Sequence, residues 1–492
     1  MKLVEVPESV ITCRNLIGGE WHTSPAPHVE VRSPYTGSVI GRVPQSTADE
    51  VARAASGAVK AAPDWRRVPI KERTQLLFRH RELVLANLER LAHSAAAEAG
   101  KTVAEARAGV LKGVEVIEFA LSLQNLDDGA ALEVSRGVSC EVRREPLGVV
   151  AGITPFNFPA MVPMWLYPIA VTLGNSFILK PSEKVPLTAQ ILGELMIEAG
   201  FPPGVFNIVN GARETVQALV DHPDVMAIGF VGSTPAARAV YARATASGKR
   251  ALALGGAKNH LIVVPDADPE VTVPGVVDSF TGCAGQRCMA ASLLVAVGDV
   301  DPLLDRIVER AAGVRLGEQM GALIDRAASD RLRAAIDQAK ADGAEIRVDG
   351  RAVAPPAGYE GGNWLAPTVI DRADPTWDCA TRELFGPVLT IVRVKTLDEA
   401  LALSERNPYG NATSVFTTSG GVARHVAERA QSGMVGVNIG VPVPREPFSF
   451  GGTKASRFGA GDITGRGGIE LWTHLKKITT KWALQSDATW MG

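Results

Sequence analysis

Residues 149–183 read VVAGITPFNFPAMVPMWLYPIAVTLGNSFILKPSE. The stretch opens on an apolar run, Val149–Ile153, and nears its end on a second, residues 176–179, each of the length of a buried strand. Between Glu145 and Lys180 there is no charged residue, and that length would cross a bilayer. Pro155, Pro159, Pro163 and Pro168 punctuate it, however, and would repeatedly break helical hydrogen bonding in lipid. The spacing predicts a segment that is apolar because it is interior to a core, not because it spans a membrane.

Outward from this stretch the same texture continues. Short apolar runs at 206–209, 226–231 and 261–264 alternate with helical patterns at 187–199 and 215–221. Strands alternating with helices imply parallel βαβ units and an α/β fold with a nucleotide-binding type of sheet. Ligands on such sheets sit at the carboxyl ends of strands, and the residues after 179 occupy one such end. Residues 256–450 repeat the texture, with a strand at 293–297 and a helix around 327–342. The first third is helical after a strand-rich entry: Thr47-x-x-Glu50 is a capping box for a helix to about residue 62, and further helices are expected over 71–99 and 102–123. His80, on the apolar face of the second, reads as a packed core histidine. The tail 475–484 alternates as a strand, too isolated to stand alone, and is expected to pair with another subunit in an oligomer. Residues 351–362 read as an ordered loop.

Composition sets the outer limits. A chain of 492 residues suggests two or three domains, and 51 Lys+Arg against 53 Asp+Glu gives a net charge of -2. That balance argues against nucleic acid as a partner. Five cysteines are too few and too odd for a disulfide framework and point to a reducing compartment. The start, MKLVEVPESV, has neither a signal-length apolar core nor an Arg-rich presequence, so a cytoplasmic location is expected.

Zinc-type spacing, HExxH, the P-loop and G-x-S-x-G do not occur, so no metal site is expected. Cys288 is the candidate nucleophile, in the small-residue loop Gly282-Cys283-Ala284-Gly285-Gln286-Arg287-Cys288-Met289-Ala290. Adjacent Arg287 is expected to lower its thiol pKa. A buried structural thiol is the plainer alternative. Asn157, held between prolines after a strand, has the rigid amide that an oxyanion hole requires. Lys180 and Glu183 could hydrogen-bond the ribose hydroxyls of a dinucleotide, or could be a solvated charge pair.

Together these segments resemble the aldehyde dehydrogenase superfamily. Gly229-Phe-Val-Gly-Ser-Thr234, Glu383-Leu-Phe-Gly-Pro387 and Pro447-Phe-Ser-Phe-Gly-Gly452 follow in that family's order. The resemblance implies that Cys288 attacks an aldehyde while Asn157 and the Cys288 N–H hold the oxyanion, and that hydride passes to NAD from what becomes a thioacyl enzyme. It implies a cofactor site of Thr154, Phe156, Lys180, Ser182, Glu183, Lys184, Gly232, Ser233, Glu383 and Phe385. Glu183 would repel a 2′-phosphate and favour NAD, with Lys184 able to compensate. It further implies an NAD-binding domain of residues 1–123 and 146–255, a catalytic domain of 256–450, and a small β bridging and oligomerisation element of 124–145 and 451–492, in a homotetramer or homodimer.

The most informative feature is a missing residue. Hydrolytic members of the superfamily carry a Glu 34 residues before the nucleophile, and here that position is Leu254. Loss of a general base should slow attack by water by ~10²–10⁴, whereas a thiol acceptor needs less help. Gly-Ala-Lys-Asn-His at 256–260, with Gln286-Arg-Cys-Met-Ala290, is similar specifically to the CoA-acylating methylmalonate-semialdehyde dehydrogenases. In these, two arginines grip the substrate carboxylate. Arg287 matches one, and Lys112 stands at the other, keeping the charge but not the planar fork. The expected reaction is NAD-dependent oxidation of malonate or methylmalonate semialdehyde to acetyl- or propionyl-CoA with loss of CO₂. A hydrolytic NAD(P)-dependent enzyme, a cysteine hydrolase without dinucleotide, and a non-catalytic homologue are the alternatives. His260, although near, is expected to have a positional role.

Overall fold

The computed structural model describes residues 3–126 and 129–482. Its first sheet has eight strands in the order Arg457–Phe458, Arg250–Leu254, Val225–Val231, Val149–Ile153, Ser176–Lys180, Phe206–Ile208, Asn15–Ile17 and Glu20–His22. The five strands from Arg250–Leu254 to Phe206–Ile208 run parallel. Val149–Ile153 and Ser176–Lys180 are buried at every position, which is why they read as continuous apolar runs and not as alternating ones. Between them the Met161–Thr172 helix buries all 12 of its residues. Pro163 falls in its first turn, where no intrahelical donor is needed, so only Pro168 interrupts the ladder. Among the described residues no helix is long and apolar enough to cross a membrane.

Among the five parallel strands, chain order and spatial order diverge at one place. Val149–Ile153 continues to Ser176–Lys180 on one side, while Val225–Val231 returns to its other side. At such a switch point the loops after the strands splay apart and leave a crevice. The residues after Ile153, Lys180 and Val231 form its rim.

The second sheet has seven strands in the order Glu345–Val348, Thr368–Asp371, Val388–Val394, Ala291–Val297, Asn259–Val263, Ala412–Phe416 and Met434–Val437. Only four residues, 255–258, join the carboxyl end of Arg250–Leu254 to the amino end of Asn259–Val263. The carboxyl edge of the first sheet is thereby tied to the amino edge of the second. Cys288 precedes Ala291–Val297, and Glu383 and Phe385 precede Val388–Val394, so all three arrive at that amino edge.

Three sequence expectations need correction. The helix expected over 71–99 is two helices, Ile70–Ala86 and Leu88–Ala99, broken at Asn87, whose side chain turns back to the Leu83 carbonyl at 2.9 Å. The first helix runs on to Arg67 through Pro63, its Thr47 N–H bound by Glu50 at 3.1 Å. The tail strand, Thr473–Lys481, pairs within its own chain along the whole of Val138–Pro146, and Ala130–Ser135 completes a three-stranded antiparallel sheet. The last two residues of the expected strand lie outside the described residues. His80 is fully buried and shares a 2.7 Å hydrogen bond with the Tyr167 hydroxyl, in keeping with a core role.

Candidate active site

On the first-sheet side of the crevice, three adjacent strand ends bring the expected cofactor residues together. Thr154 N–H donates to the Lys180 carbonyl at 3.1 Å, joining two of the loops. Lys180 is buried, and its Nζ reaches Glu183 Oε2 at 3.5 Å; burial lowers its pKa and Glu183 opposes that. Ser182 Oγ accepts the Lys184 N–H at 3.3 Å. Gly232 N–H is taken by the Leu254 carbonyl at 3.1 Å. Ser233 caps the Thr234–Ala246 helix but is exposed, and its hydroxyl makes no capping hydrogen bond. A helix N-terminus with an uncommitted hydroxyl suits a pyrophosphate, and the Lys180–Glu183 pair offers a donor and an acceptor to a ribose diol, so these residues fit NAD. Lys184 points elsewhere: its Nζ donates to Asp325 Oδ2 at 2.6 Å and lies 5.6 Å from the centre of the Phe156 ring. Phe156 in turn meets Phe385 edge-on at 5.8 Å, so the two rings close this end of the crevice.

On the second-sheet side the loop that carries Cys288 is bent hard. Cys283, Ala284 and Gly285 all have left-handed φ, at 55°, 52° and 66°. For the two non-glycine residues this conformation costs about 1–2 kcal/mol each, so the surroundings must impose it. Gly285 is required: a Cβ there would fall 2.1 Å from the Gly386 carbonyl oxygen. Past the turn, the Cys288 carbonyl accepts from two buried amides, Asn259 Nδ2 at 2.7 Å and Asn411 Nδ2 at 2.8 Å. Asn259 also holds the Ala290 carbonyl at 3.0 Å and the Ala412 N–H at 3.0 Å. Asn157 meets this loop from the other sheet, its Nδ2 donating to the Gln286 carbonyl at 3.0 Å. An amide carries two N–H groups. One of them is fixed by this bond, leaving the other for a substrate oxygen.

Arg287 does not control the Cys288 thiol. Cys288 is half-buried by exposed area, yet enough protein surrounds its sulfur that burial, followed by the charge of Glu383, pushes its pKa up to about 12; the backbone N–H of Cys288 and Arg287 oppose this and lose. The Arg287 guanidinium is turned onto the carbonyls of Asp278 and Ser279, while its Nε is buried without a partner. Glu383 is itself pushed up to about 7 by burial, against the Ala257 N–H at 2.8 Å, Lys258 and Arg331. It lies over the 255–258 link between the two sheets, where a Cβ on Gly256 would fall 2.2 Å from its carboxylate. Leu254 is 3% exposed and belongs to the large apolar core that Cys288 borders. Burial lowers the His260 pKa to about 3, so it stands neutral, within 3.3 Å of the Asn407 amide, as a positional residue.

Lys112 sits between two carboxylates, Glu115 Oε2 at 2.8 Å and Glu446 Oε2 at 3.2 Å. Sequence reasoning missed Asn259, Asn411 and Gln286. Asn259 and Gln286 stood inside recognised motifs, and that was the available signal; Asn411 holds a backbone carbonyl that no pattern of side chains announces.

The sequence profile of the aldehyde dehydrogenase family matches residues 21–478. The chain is 41% identical over 489 residues to the methylmalonate-semialdehyde/malonate-semialdehyde dehydrogenase [acylating], mitochondrial, of Rattus norvegicus, covering 98% of this chain and 91% of the relative. It is 42% identical to malonate-semialdehyde dehydrogenase 1 of Geobacillus thermodenitrificans strain NG80-2, covering 96% and 99%. Among solved structures, a Sinorhizobium meliloti 1021 protein assigned as a methylmalonate-semialdehyde dehydrogenase and complexed with NAD superposes with a TM-score of 0.95 at 38% identity, covering 98% of this chain and 100% of that one.

Proposed function

The chain belongs to the aldehyde dehydrogenase family, and from that premise we propose that it is an NAD-dependent, CoA-acylating dehydrogenase of malonate or methylmalonate semialdehyde. The Cys288 sulfur adds to the aldehyde carbon, and the second Asn157 N–H with the Cys288 N–H receives the oxygen that becomes negative. Lys180, Glu183, Ser233 and Glu383 would hold NAD, which would supply the hydride acceptor, and loss of hydride leaves the carbon as a thioester of Cys288. The β-carboxylate leaves as CO₂, its electron pair passing to the thioester carbonyl, and the same N–H donors hold that oxygen until the α-carbon is protonated. The CoA thiolate then attacks the thioester and Cys288 leaves. Arg287, with its unpartnered Nε, supports the carboxylate grip better than Lys112, which two carboxylates already neutralise. With Lys184 committed to Asp325, Glu183 favours NAD over NADP.

The observation that carries the acceptor is Leu254: an apolar, buried side chain stands where hydrolytic members activate water. In our reading residues 1–123 and 146–255 hold the cofactor, 256–450 the nucleophile, and 124–145 with 451–492 join subunits of a cytoplasmic dimer or tetramer. The edge strand Ala130–Ser135, which exposes Leu132 and Val134, supports the last assignment. The test is NADH formation from each semialdehyde with and without CoA, with the products identified. Turnover that requires CoA and yields acetyl- or propionyl-CoA is expected. Steady turnover to free acid without CoA overturns the acceptor assignment.

A further inference from the structure

The left-handed turn upstream of Cys288 rests on the start of the Val103–Ser122 helix. Glu105 Oε1 accepts the Cys283 N–H at 2.5 Å, while its Oε2 accepts the Thr102 N–H at 3.0 Å. One carboxylate thus completes the capping box of its own helix and pins the first residue of the turn. Just before the N-cap residue, Lys101 Nζ lies 3.0 Å from Cys283 Sγ and 3.3 Å from the centre of the Phe158 ring. Phe158 follows Asn157, the amide that meets the Gln286 carbonyl. Lys101 is 4% exposed, and its own carbonyl is held by the buried Tyr35 hydroxyl at 2.8 Å. A buried amine whose partners are a thiol and an aromatic face is an unusual use of a lysine. Here it touches both loops that must converge on one carbonyl group.

We propose that Lys101 and Glu105 are positioning residues: they hold the 283–285 turn in its left-handed form and fix Phe158 beside it, so that Cys288 and Asn157 are presented to the same aldehyde. This rests on the reading of Cys288 as nucleophile. Neither residue touches substrate or cofactor. Without them the non-glycine residues Cys283 and Ala284 relax toward right-handed backbone, and the displacement passes through Gln286 to Cys288. Misplacing a nucleophile by about an ångström is enough to cost orders of magnitude in rate.

The test uses the full chain carrying Glu105→Ala, Glu105→Gln or Lys101→Met. It measures kcat, KM for aldehyde and NAD, melting temperature, and deuterium uptake over residues 282–290. Glu105→Ala is expected to lower kcat about tenfold or more and to speed exchange over 282–290, with KM for NAD within about twofold. Glu105→Gln keeps an acceptor for the Cys283 N–H and should stay within about threefold of the parent, a rescue that a general loss of stability would not give. If Glu105→Ala does not fold, Lys101→Met, which removes no backbone hydrogen bond, carries the same expectation. Unchanged kcat, unchanged exchange, or a Gln variant as slow as the Ala variant overturns the proposal. Should the parent form no NADH from either semialdehyde, the dehydrogenase reading fails, while the exchange experiment still decides whether Glu105 holds the turn.

Discussion

Replacing Glu383 by Gln removes one charge and almost no volume, and it should make Cys288 more reactive. The thiol's ordinary value of 9.0 is pushed to about 12, which at about pH 8 leaves roughly a thousandfold fewer thiolates. Burial is the larger cause and Glu383 the second. The substitution should therefore recover part of that factor, on the order of tenfold. The size of the gain depends on pH, because Glu383 itself ionises near pH 7. Below that value its carboxyl is neutral and does not oppose the thiolate; above it the carboxylate does. Parent and Glu383→Gln should thus alkylate alike near about pH 6 and diverge through neutrality, the variant being about three- to thirtyfold faster by about pH 8.5. The assay is iodoacetamide labelling of the cofactor-free protein, with modification of the Cys288 peptide followed by mass spectrometry. Equal rates across the range, or a slower variant, would refute the electrostatic reasoning.

Two further outcomes can be checked by stability measurements. Asn259→Ala leaves the Ala290 carbonyl and the Ala412 N–H without their side-chain partner and halves the support of the Cys288 carbonyl. A loss of ~1–3 kcal/mol is expected from the denaturant midpoint at constant slope, and a midpoint unchanged within error would count against the clamp. His80 and His260 are held neutral by burial, with pKa values lowered from 6.5 to about 4 and about 3. Between those values and 6.5 the unfolded chain binds more protons, so stability should fall as pH drops through that window, by up to ~1.4 kcal/mol per pH unit for each histidine. Melting curves from about pH 7 to 4 should show a shallower decline in His260→Gln than in the parent, and parallel curves would dismiss this contribution.

The first sheet was legible because its evidence is local. Buried parallel strands print as unbroken apolar runs, and the rule of carboxyl ends pointed to the residues after 179, where Lys180 ends its strand. The second sheet obeys a different geometry. Cys288 and Glu383 reach the crevice from the amino ends of their strands, so the rule of carboxyl ends said nothing about them; Cys288 stood out through its small-residue loop, and Glu383 only through the resemblance to a family. The environment of the thiol was misread for a related reason. Arg287 is its neighbour in sequence, but burial and Glu383, 95 residues away in the numbering, outweigh it. The break at Asn87 carries neither proline nor glycine, and the partner of the tail strand lies more than 300 residues upstream. Pairings of that range leave no trace in a periodicity.

The strand Arg457–Phe458 at the rim of the first sheet has a consequence for how the chain is made. Arg250–Leu254 leaves the ribosome some 200 residues before the strand that covers its outer edge. Trp472, fully buried with its ring 5.9 Å from Phe177 and its carbonyl bound to Asn175, arrives later still. During that interval the nascent first sheet has an unpaired edge and an open slot in its core, the two features that recruit unwanted partners. Synthesis order thus makes the arrival of residues 457–472 the moment when the first sheet closes, and makes loss of these residues a defect of solubility before it is a defect of catalysis.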